Sequence, residues 1–309
     1  MELNAAELKS FATAELNTYL LSSLNIDNNK ALKEIEEEIL DEYRDLNSED
    51  TKRARLDYFK VKDAKSDDYA EKILELEDNK KLIYGIRHKG ANPDLPFVQL
   101  KANFSITSKA DALEIYQKIR HEFEVFKPLY VNFHNAIKVD ADFYGSIYMV
   151  ASTKEIIECP NWSNEGKITF EAIKDNSYYD WYKDGYDQFH LDAPDLKSKV
   201  TVNSCSSMKD SLEQGLLKFV YINDERIGLI AGERSDFLGS SAVYFHEIFI
   251  SKKWKGRGLA KVVQQRFIKD FCSDLNFVWG TIDAHNLPSY KTAYSNGRRA
   301  VRYECFVNL

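Results

Sequence analysis

Cysteine is scarce in this 309-residue chain: Cys159, Cys205, Cys272 and Cys305 lie far apart, with no Cys-x-x-Cys pair and no close histidine. That spacing suggests neither a disulfide framework nor a zinc site, so the four read as reduced thiols and no metal is expected. Long apolar runs are absent as well. None approaches the roughly 18 residues needed to span a bilayer, and the opening residues Met-Glu-Leu-Asn-Ala-Ala-Glu carry neither a basic nor an apolar leader pattern. No membrane partner is expected, and the default location is cytoplasmic. The third lack is basic excess. Net charge is -7, with 21 Lys+Arg against 28 Asp+Glu in residues 1–150 and 21 against 21 in the rest. The acidity sits in the first half, and neither half offers the positive surface that nucleic-acid backbones require.

What is present suffices for a soluble globular protein. At 44% hydrophobic residues the chain can bury a full core, and its length suggests two domains. Residues 5–24 carry Leu8, Phe11, Ala12, Leu16 and Leu20 at helical spacing. Residues 31–46 repeat the signal, with Leu32, Ile35, Ile39, Tyr43 and Leu46 on one stripe and a run of glutamates elsewhere that reads as a solvated face. A third helical segment is expected near residues 66–77. From Lys80 the pattern turns to strands, residues 82–87 and 97–106, separated by a turn holding Gly90, Pro93 and Pro96. A helix over 109–123 and a strand over 129–133 ending in His134 and Asn135 follow.

The turn-rich stretch around Pro160 and Gly166 marks a boundary, dividing the chain into 1–160 and 161–309. A strand over 167–173 precedes an aromatic segment in which Tyr178, Tyr182, Tyr186 and Phe189 share one helical face. Such a stripe reads first as core, with Tyr179 or Trp181 as the alternative lining of an acceptor pocket. A helix at 206–216 leads to a three-strand meander over 219–222, 227–233 and 242–250. A helix over 259–271, a strand over 277–284, a helix beginning at Asn286 and a closing strand over 300–307 complete the order.

The informative stretch is residues 243–259. An apolar strand feeds Lys253, Trp254, Lys255, Gly256, Arg257 and Gly258, and an amphipathic helix starts at Leu259. A glycine turn entering a helix leaves backbone N–H groups unpaired where the helix dipole favours negative charge. That makes an anion cradle. It lacks the Gly-Lys-Ser/Thr ending of an ATP-type loop and has one glycine too few for a dinucleotide fingerprint.

This loop resembles the pyrophosphate loop of the GNAT superfamily of N-acetyltransferases, Gln/Arg-x-x-Gly-x-Gly/Ala, with Lys253 departing at the first position. Asn286 with Ser289, and Gly297 further on, stand where a second family signature would. The resemblance covers about residues 166–309. It implies an α/β (α+β) fold with a mixed, mostly antiparallel sheet flanked by helices, and acetyl-coenzyme A as co-substrate. It also implies a site in which main-chain groups of Phe249 and Ile250 pair with the pantetheine arm. The loop from Lys253 through Lys255, Gly256, Arg257, Gly258, Leu259 and Ala260 would take the pyrophosphate. Asn286, with Ser289, would meet the coenzyme beyond the strand's reach, although Asn286 also reads as a plain helix N-cap.

The implied reaction is direct acetyl transfer to an amine, of a small molecule or of a peptide or protein. It asks for a base, an oxyanion donor and a proton for the leaving thiolate. Glu247 is the favoured base and His246 the other candidate. Strand alternation predicts that only one of the two enters the pocket, and Glu247 also reads as a structural carboxylate. A family tyrosine expected seven residues after the asparagine is replaced by Ala293, with Tyr294 following. One residue along a helix is a rotation of about 100°, so Tyr294 is a weak candidate acid, Tyr290 a weaker one, and solvent the fallback. The competing reading is a coenzyme A-binding or sensing module without turnover.

The first half repeats part of the order. From Ile106 to Asn135 is 29 residues and from Ile250 to Asn286 is 36; the difference equals the length of 252–258. The N-terminal domain thus reads as helical plus αβ, either a degenerate copy lacking the phosphate loop and any cofactor site or a chance recurrence of a common order.

Overall fold

Capping side chains fix the first helices of the computed structural model, which describes residues 3–197 and 200–309. Asn4 accepts from the amides of Ala6 and Glu7 at the start of α1 (Ala5–Leu16), and the Glu7 carboxylate accepts from the Asn4 amide, closing a capping box. Asp27 caps α2 (Asn28–Asn47), which buries Ala31, Ile35 and Ile39. Its acidic face is not wholly solvated, because Glu42 pairs with Lys101 at 2.5 Å and Arg87 at 3.4 Å. The expected third helix near 66–77 is instead a single 3-10 turn, Ser66–Tyr69, and strand β1 (Lys72–Glu75). The third helix lies earlier, α3 (Glu49–Phe59), capped by Ser48 with Glu49 and Asp50 in its first turn. Its charged sequence has little apolar periodicity, so capping and the end residue Phe59, stacked on His88 at 3.8 Å, define it.

The chain forms two units, one of Met1–Ile147 with Val301–Leu309 and one of Tyr148–Ala300. In the first, β1 pairs with β2 (Lys81–His88) and β2 with β3 (Pro96–Ala102), both antiparallel. Helix α4 (Lys109–Ile119) carries the chain to β4 (Tyr130–Asn135), which lies parallel to β3 in the register Phe97↔Tyr130. Strand β11 (Arg299–Asn308) returns antiparallel to β4. Ile115, Ile119 and Phe123 pack with Val98, Val131 and Val307 to form the core.

The division falls within strand β5 (Phe143–Ser152), and its last residues with the short α5 (Thr153–Glu158) open the second unit. The turn-rich stretch around Pro160 and Gly166, where the sequence suggests a boundary at 160/161, lies inside this unit. It is held there by Lys269, which pairs with Glu165 at 2.9 Å, and by Gln265, which donates to the carbonyls of Ile156 and Cys159.

The unit's sheet runs in the order β6 (Ile168–Ala172), β7 (Leu217–Ile222), β8 (Glu225–Phe237), β9 (Ser240–Ile250) and β10 (Phe277–Asp283), antiparallel except for β9 with β10. On one face α6 (Tyr179–Asp192), after α5 in the chain, sets Tyr182 and Tyr186 against Leu229, Ala231 and Phe249. On the other α8 (Leu259–Phe271) buries Val263 and Phe267 against Val243, Phe245 and Val278. The short α7 (Lys209–Glu213) precedes β7, and α9 (Leu287–Ser295) follows β10. Each unit is therefore a mixed, mostly antiparallel sheet flanked by helices.

Candidate functional site

Strands β9 and β10 pair in parallel only over Ala242, Val243 and Tyr244 with Phe277, Val278 and Trp279. Past that point they part, and residues 245–250 and 280–283 line a cleft of about 830 Å³. The gap exists because β9 continues to follow β8 as far as Ile250. Main-chain N–H and C=O groups on its β10 side therefore lose a ladder partner and can pair with an extended ligand.

The cleft leads to the glycine loop. A 3-10 turn, Lys252–Trp254, is followed by Gly256 at φ +76° and Gly258 at φ +69°. Gly258 is the N-cap of α8; it offers no side-chain bond, and the first turn holds no acid. The amides opening α8 thus stay available beside the positive end of the helix dipole. A Cβ at Gly256 would meet nothing within 4 Å, so left-handed backbone rather than crowding is what glycine supplies here.

The basic run divides. Lys252 pairs with Asp192 at 2.9 Å and Lys253 with Glu225 at 2.5 Å, while Arg257 stacks over Trp254 at 4.8 Å. Lys253 and Arg257 are not among the residues lining the cleft, whereas Lys255, Gly256, Gly258, Leu259 and Ala260 are. Lys255 lies 4.1 Å from the Phe189 ring centre, and burial lowers its ammonium pKa.

The two candidate bases both line the cleft, which simple alternation did not predict. The cause is a bulge: Ala231 faces Glu247 and Gly232 faces Phe245, leaving His246 as the extra residue. Phe245 points to α8, while Glu247 and His246 stand on the α6 side, His246 against the Tyr244 ring at 4.8 Å.

His246 donates from Nε2 to the Glu233 carboxylate. Among the described residues its Nδ1 has no partner. Glu247 is buried, and its Oε2 accepts from the phenols of Tyr182 and Tyr186, the latter at 2.6 Å, and from Asn203 Nδ2 at 3.4 Å. Its Oε1 accepts from the Ile248 amide at 2.8 Å. Burial raises the carboxyl pKa against the opposing pull of these bonds.

Of the coenzyme candidates, Phe249, Ile250, Asn286 and Ser289 line the cleft. Asn286 caps α9, accepting from the Ser289 amide at 3.2 Å. Tyr294 is 52% exposed and lies outside the lining, stacked on Tyr290 at 6.4 Å, while Ala293 is buried. The one-residue rotation along the helix turns its phenol away. In the aromatic stripe Tyr178 and Tyr182 are core, Tyr186 and Phe189 reach the cleft, and Tyr179 and Trp181 do not.

Three contributors escaped sequence reasoning. Glu233 and Asn203 meet the candidate bases only through strand register and loop closure, for which one sequence carries no periodic signal. Arg298 lines the cleft at 3% exposure, one position after the left-handed Gly297. The glycine was a visible sign of a tight turn there, but not of what the turn presents. Among the described residues no group of three or more His, Cys, Asp or Glu could hold a metal, and no helix is long and apolar enough to cross a membrane.

No protein-family model matches the chain, and no curated protein does. Solved structures resemble it at low identity. A GCN5-related N-acetyltransferase from Sphaerobacter thermophilus is 11% identical over 96% of this chain and 91% of that one, with a TM-score of 0.49. A GNAT-family acetyltransferase from Colwellia psychrerythraea is 10% identical over 84% and 96%, with a TM-score of 0.45. Arabidopsis thaliana Naa50, in complex with the bisubstrate analogue CoA-Ac-MVNAL, is 16% identical over 46% and 99%, with a TM-score of 0.30. With each of these scores below 0.5, the reading of the site rests on the chain's own geometry.

Proposed function

We propose that the cleft of the second unit binds a coenzyme A thioester and that the protein transfers the acyl group to an amine. The observation that carries this reading is the parting of β9 from β10 after Tyr244 and Trp279. It leaves an extended, hydrogen-bonding slot that ends at an uncapped helix start with two left-handed glycines. An extended amide-bearing arm joined to a pyrophosphate suits both ends of that slot. The main chain of Phe249 and Ile250 would hold the arm, and the amides after Gly258 would hold the pyrophosphate, with Lys255 beside them. Acetyl-coenzyme A is the donor that the sequence resemblance implies.

His246 is the base this geometry favours. Its Nε2–H is committed to Glu233, which leaves the Nδ1 lone pair to accept a proton. The amine gives that proton to Nδ1 as its nitrogen attacks the thioester carbon. The C–N bond forms, the C–S bond breaks, and the leaving thiolate takes a proton from the imidazolium or from water. Glu233 is a positioning residue in this scheme.

Glu247 already accepts four hydrogen bonds and serves to tie α6 and the loop at Asn203 to β9. Free-thiol release measured with a panel of small-molecule and peptide amines tests the proposal. Acceptor-dependent release is expected; coenzyme A binding without it would leave a coenzyme-binding module as the function, and no binding at all would remove both.

A further inference from the structure

Arg298 is a buried cation without a counter-ion. Its guanidinium donates to Gln264 Oε1 at 2.8 Å, a neutral acceptor that is also used by Asn296 Nδ2 at 3.0 Å. Its Nε and the Asn296 Oδ1 have no hydrogen-bond partner, and no carboxylate pairs with Arg298 among the described residues. The Phe245 ring lies 5.3 Å from its Cζ. Burying a guanidinium is costly unless a charge meets it, and the usual resolution is an anion with matching geometry. Burial accordingly lowers its pKa to about 10.

Its position says which anion. Arg298 stands at the closed end of the gap. A Cβ on Gly280, the residue after the last paired position of β10, would be 3.5 Å from Nη1. Gln264 and Phe245 put it on the α8 side of the sheet, whereas His246, Glu233 and Glu247 face the α6 side. An amine meeting His246 approaches from the α6 side, so its substituents lie away from Arg298. A thioester arm running inward from the glycine loop ends at the vertex, and a chain continuing past the thioester carbonyl meets the guanidinium.

We infer that Arg298 receives a carboxylate at the far end of the donor's acyl group, making the donor a dicarboxylic acyl thioester such as malonyl- or succinyl-coenzyme A. This rests on the coenzyme reading above and narrows the donor that the resemblance implies.

Calorimetric titration of the full chain with coenzyme A, butyryl-coenzyme A and succinyl-coenzyme A tests it. Butyryl and succinyl differ by a methyl against a carboxylate on the same carbon chain. The wild type is expected to bind succinyl-coenzyme A about thirtyfold or more tightly than butyryl-coenzyme A, the scale for a desolvated charge pair, and R298M is expected to lose that preference. Equal or weaker binding of succinyl-coenzyme A by the wild type overturns the inference without any variant. An unchanged preference in a folded R298M overturns it too. Failure of coenzyme A itself to bind would instead overturn the coenzyme reading and this inference with it.

Discussion

Replacing Glu247 by glutamine separates a strut from a base. The carboxylate accepts three donors on Oε2 and one on Oε1. An amide has a single acceptor oxygen. If that oxygen takes the Oε2 place, Tyr182, Tyr186 and Asn203 keep their acceptor, but the NH2 group then confronts the Ile248 amide. The opposite flip sets NH2 against three donors. The better arrangement still leaves one buried donor unpaired, a cost of about 1–3 kcal/mol, and turns charged hydrogen bonds into neutral ones. Losing the desolvation of a buried carboxylate offsets part of this, so a net destabilisation of about 1–3 kcal/mol is expected. That corresponds to about 2–4 °C per kcal/mol in a unit of this size.

The pH dependence has a definite sign. Burial holds the Glu247 carboxyl above the ordinary carboxylate range. Stability linked to this group is therefore full below the ordinary value and declines as pH rises through the shifted one. Glutamine has no such dependence, so the wild type's advantage over E247Q narrows with rising pH. Urea unfolding followed by tryptophan fluorescence at several pH values measures this, Trp181 being packed on Phe249 beside the site. With His246 and Glu233 untouched, kcat/KM should fall about tenfold or less. Stability unchanged within about 0.5 kcal/mol, together with a loss of about 10³-fold or more in kcat, would refute the strut and make Glu247 the base.

His246→Ala should lower kcat by about 10²–10⁴, and Glu233→Gln by about 10–100-fold. Both should leave the coenzyme Kd unchanged by titration; an equal rise in that Kd would show that the pair only shapes the cleft. Gly258→Val forces a branched residue into φ +69°, a strain of about 1–2 kcal/mol, and should weaken coenzyme A binding about tenfold or more, as calorimetry would show. In the first unit, burial holds the His88 imidazole down at about 4 from 6.5, with Arg55 adding to the effect, and neither ring nitrogen has a hydrogen-bond partner. Stability from this group is full above about 6.5 and falls toward pH 4, by about 2–3 kcal/mol. His88→Phe should flatten that part of the unfolding curve against pH.

The stretches legible in the sequence are those whose periodicity and punctuation agree. Helix α8 announces itself through Val262, Val263, Phe267 and Ile268 behind a glycine loop, and the meander through alternating strands. Helix α3 was hidden because its charged residues carry no stripe, and β1 because four residues are too short for alternation to register. Strand β5, with Ile147, Met149 and Val150 buried, lay in a stretch not assigned an element. At the site, the bulge at His246 depends on the β8 register, which no local pattern encodes, and it changes the inference that alternation would draw for His246 and Glu247. Glu233, Asn203 and Arg298 are brought to the cleft by chain closure, so their roles become visible only when the distances are known.

Each of the two units contains an antiparallel strand pair, a helix and a strand parallel to the second of the pair: β2, β3, α4 and β4 in one, β8, β9, α8 and β10 in the other. What differs is how each helix starts. Ser108 caps α4 by accepting from the Asp111 amide, and Asp111 in the first turn accepts from the amide and hydroxyl of Thr107. That start already holds a side-chain cap on one first-turn amide and a negative charge, and the charge opposes an anion. Helix α8 starts at a left-handed glycine with no side-chain cap and no acid. The same local order therefore leaves open amides at the helix start in one unit and sets an acid there in the other. The two helix starts thus differ in a Ser-x-x-Asp cap at α4 and a glycine loop at α8.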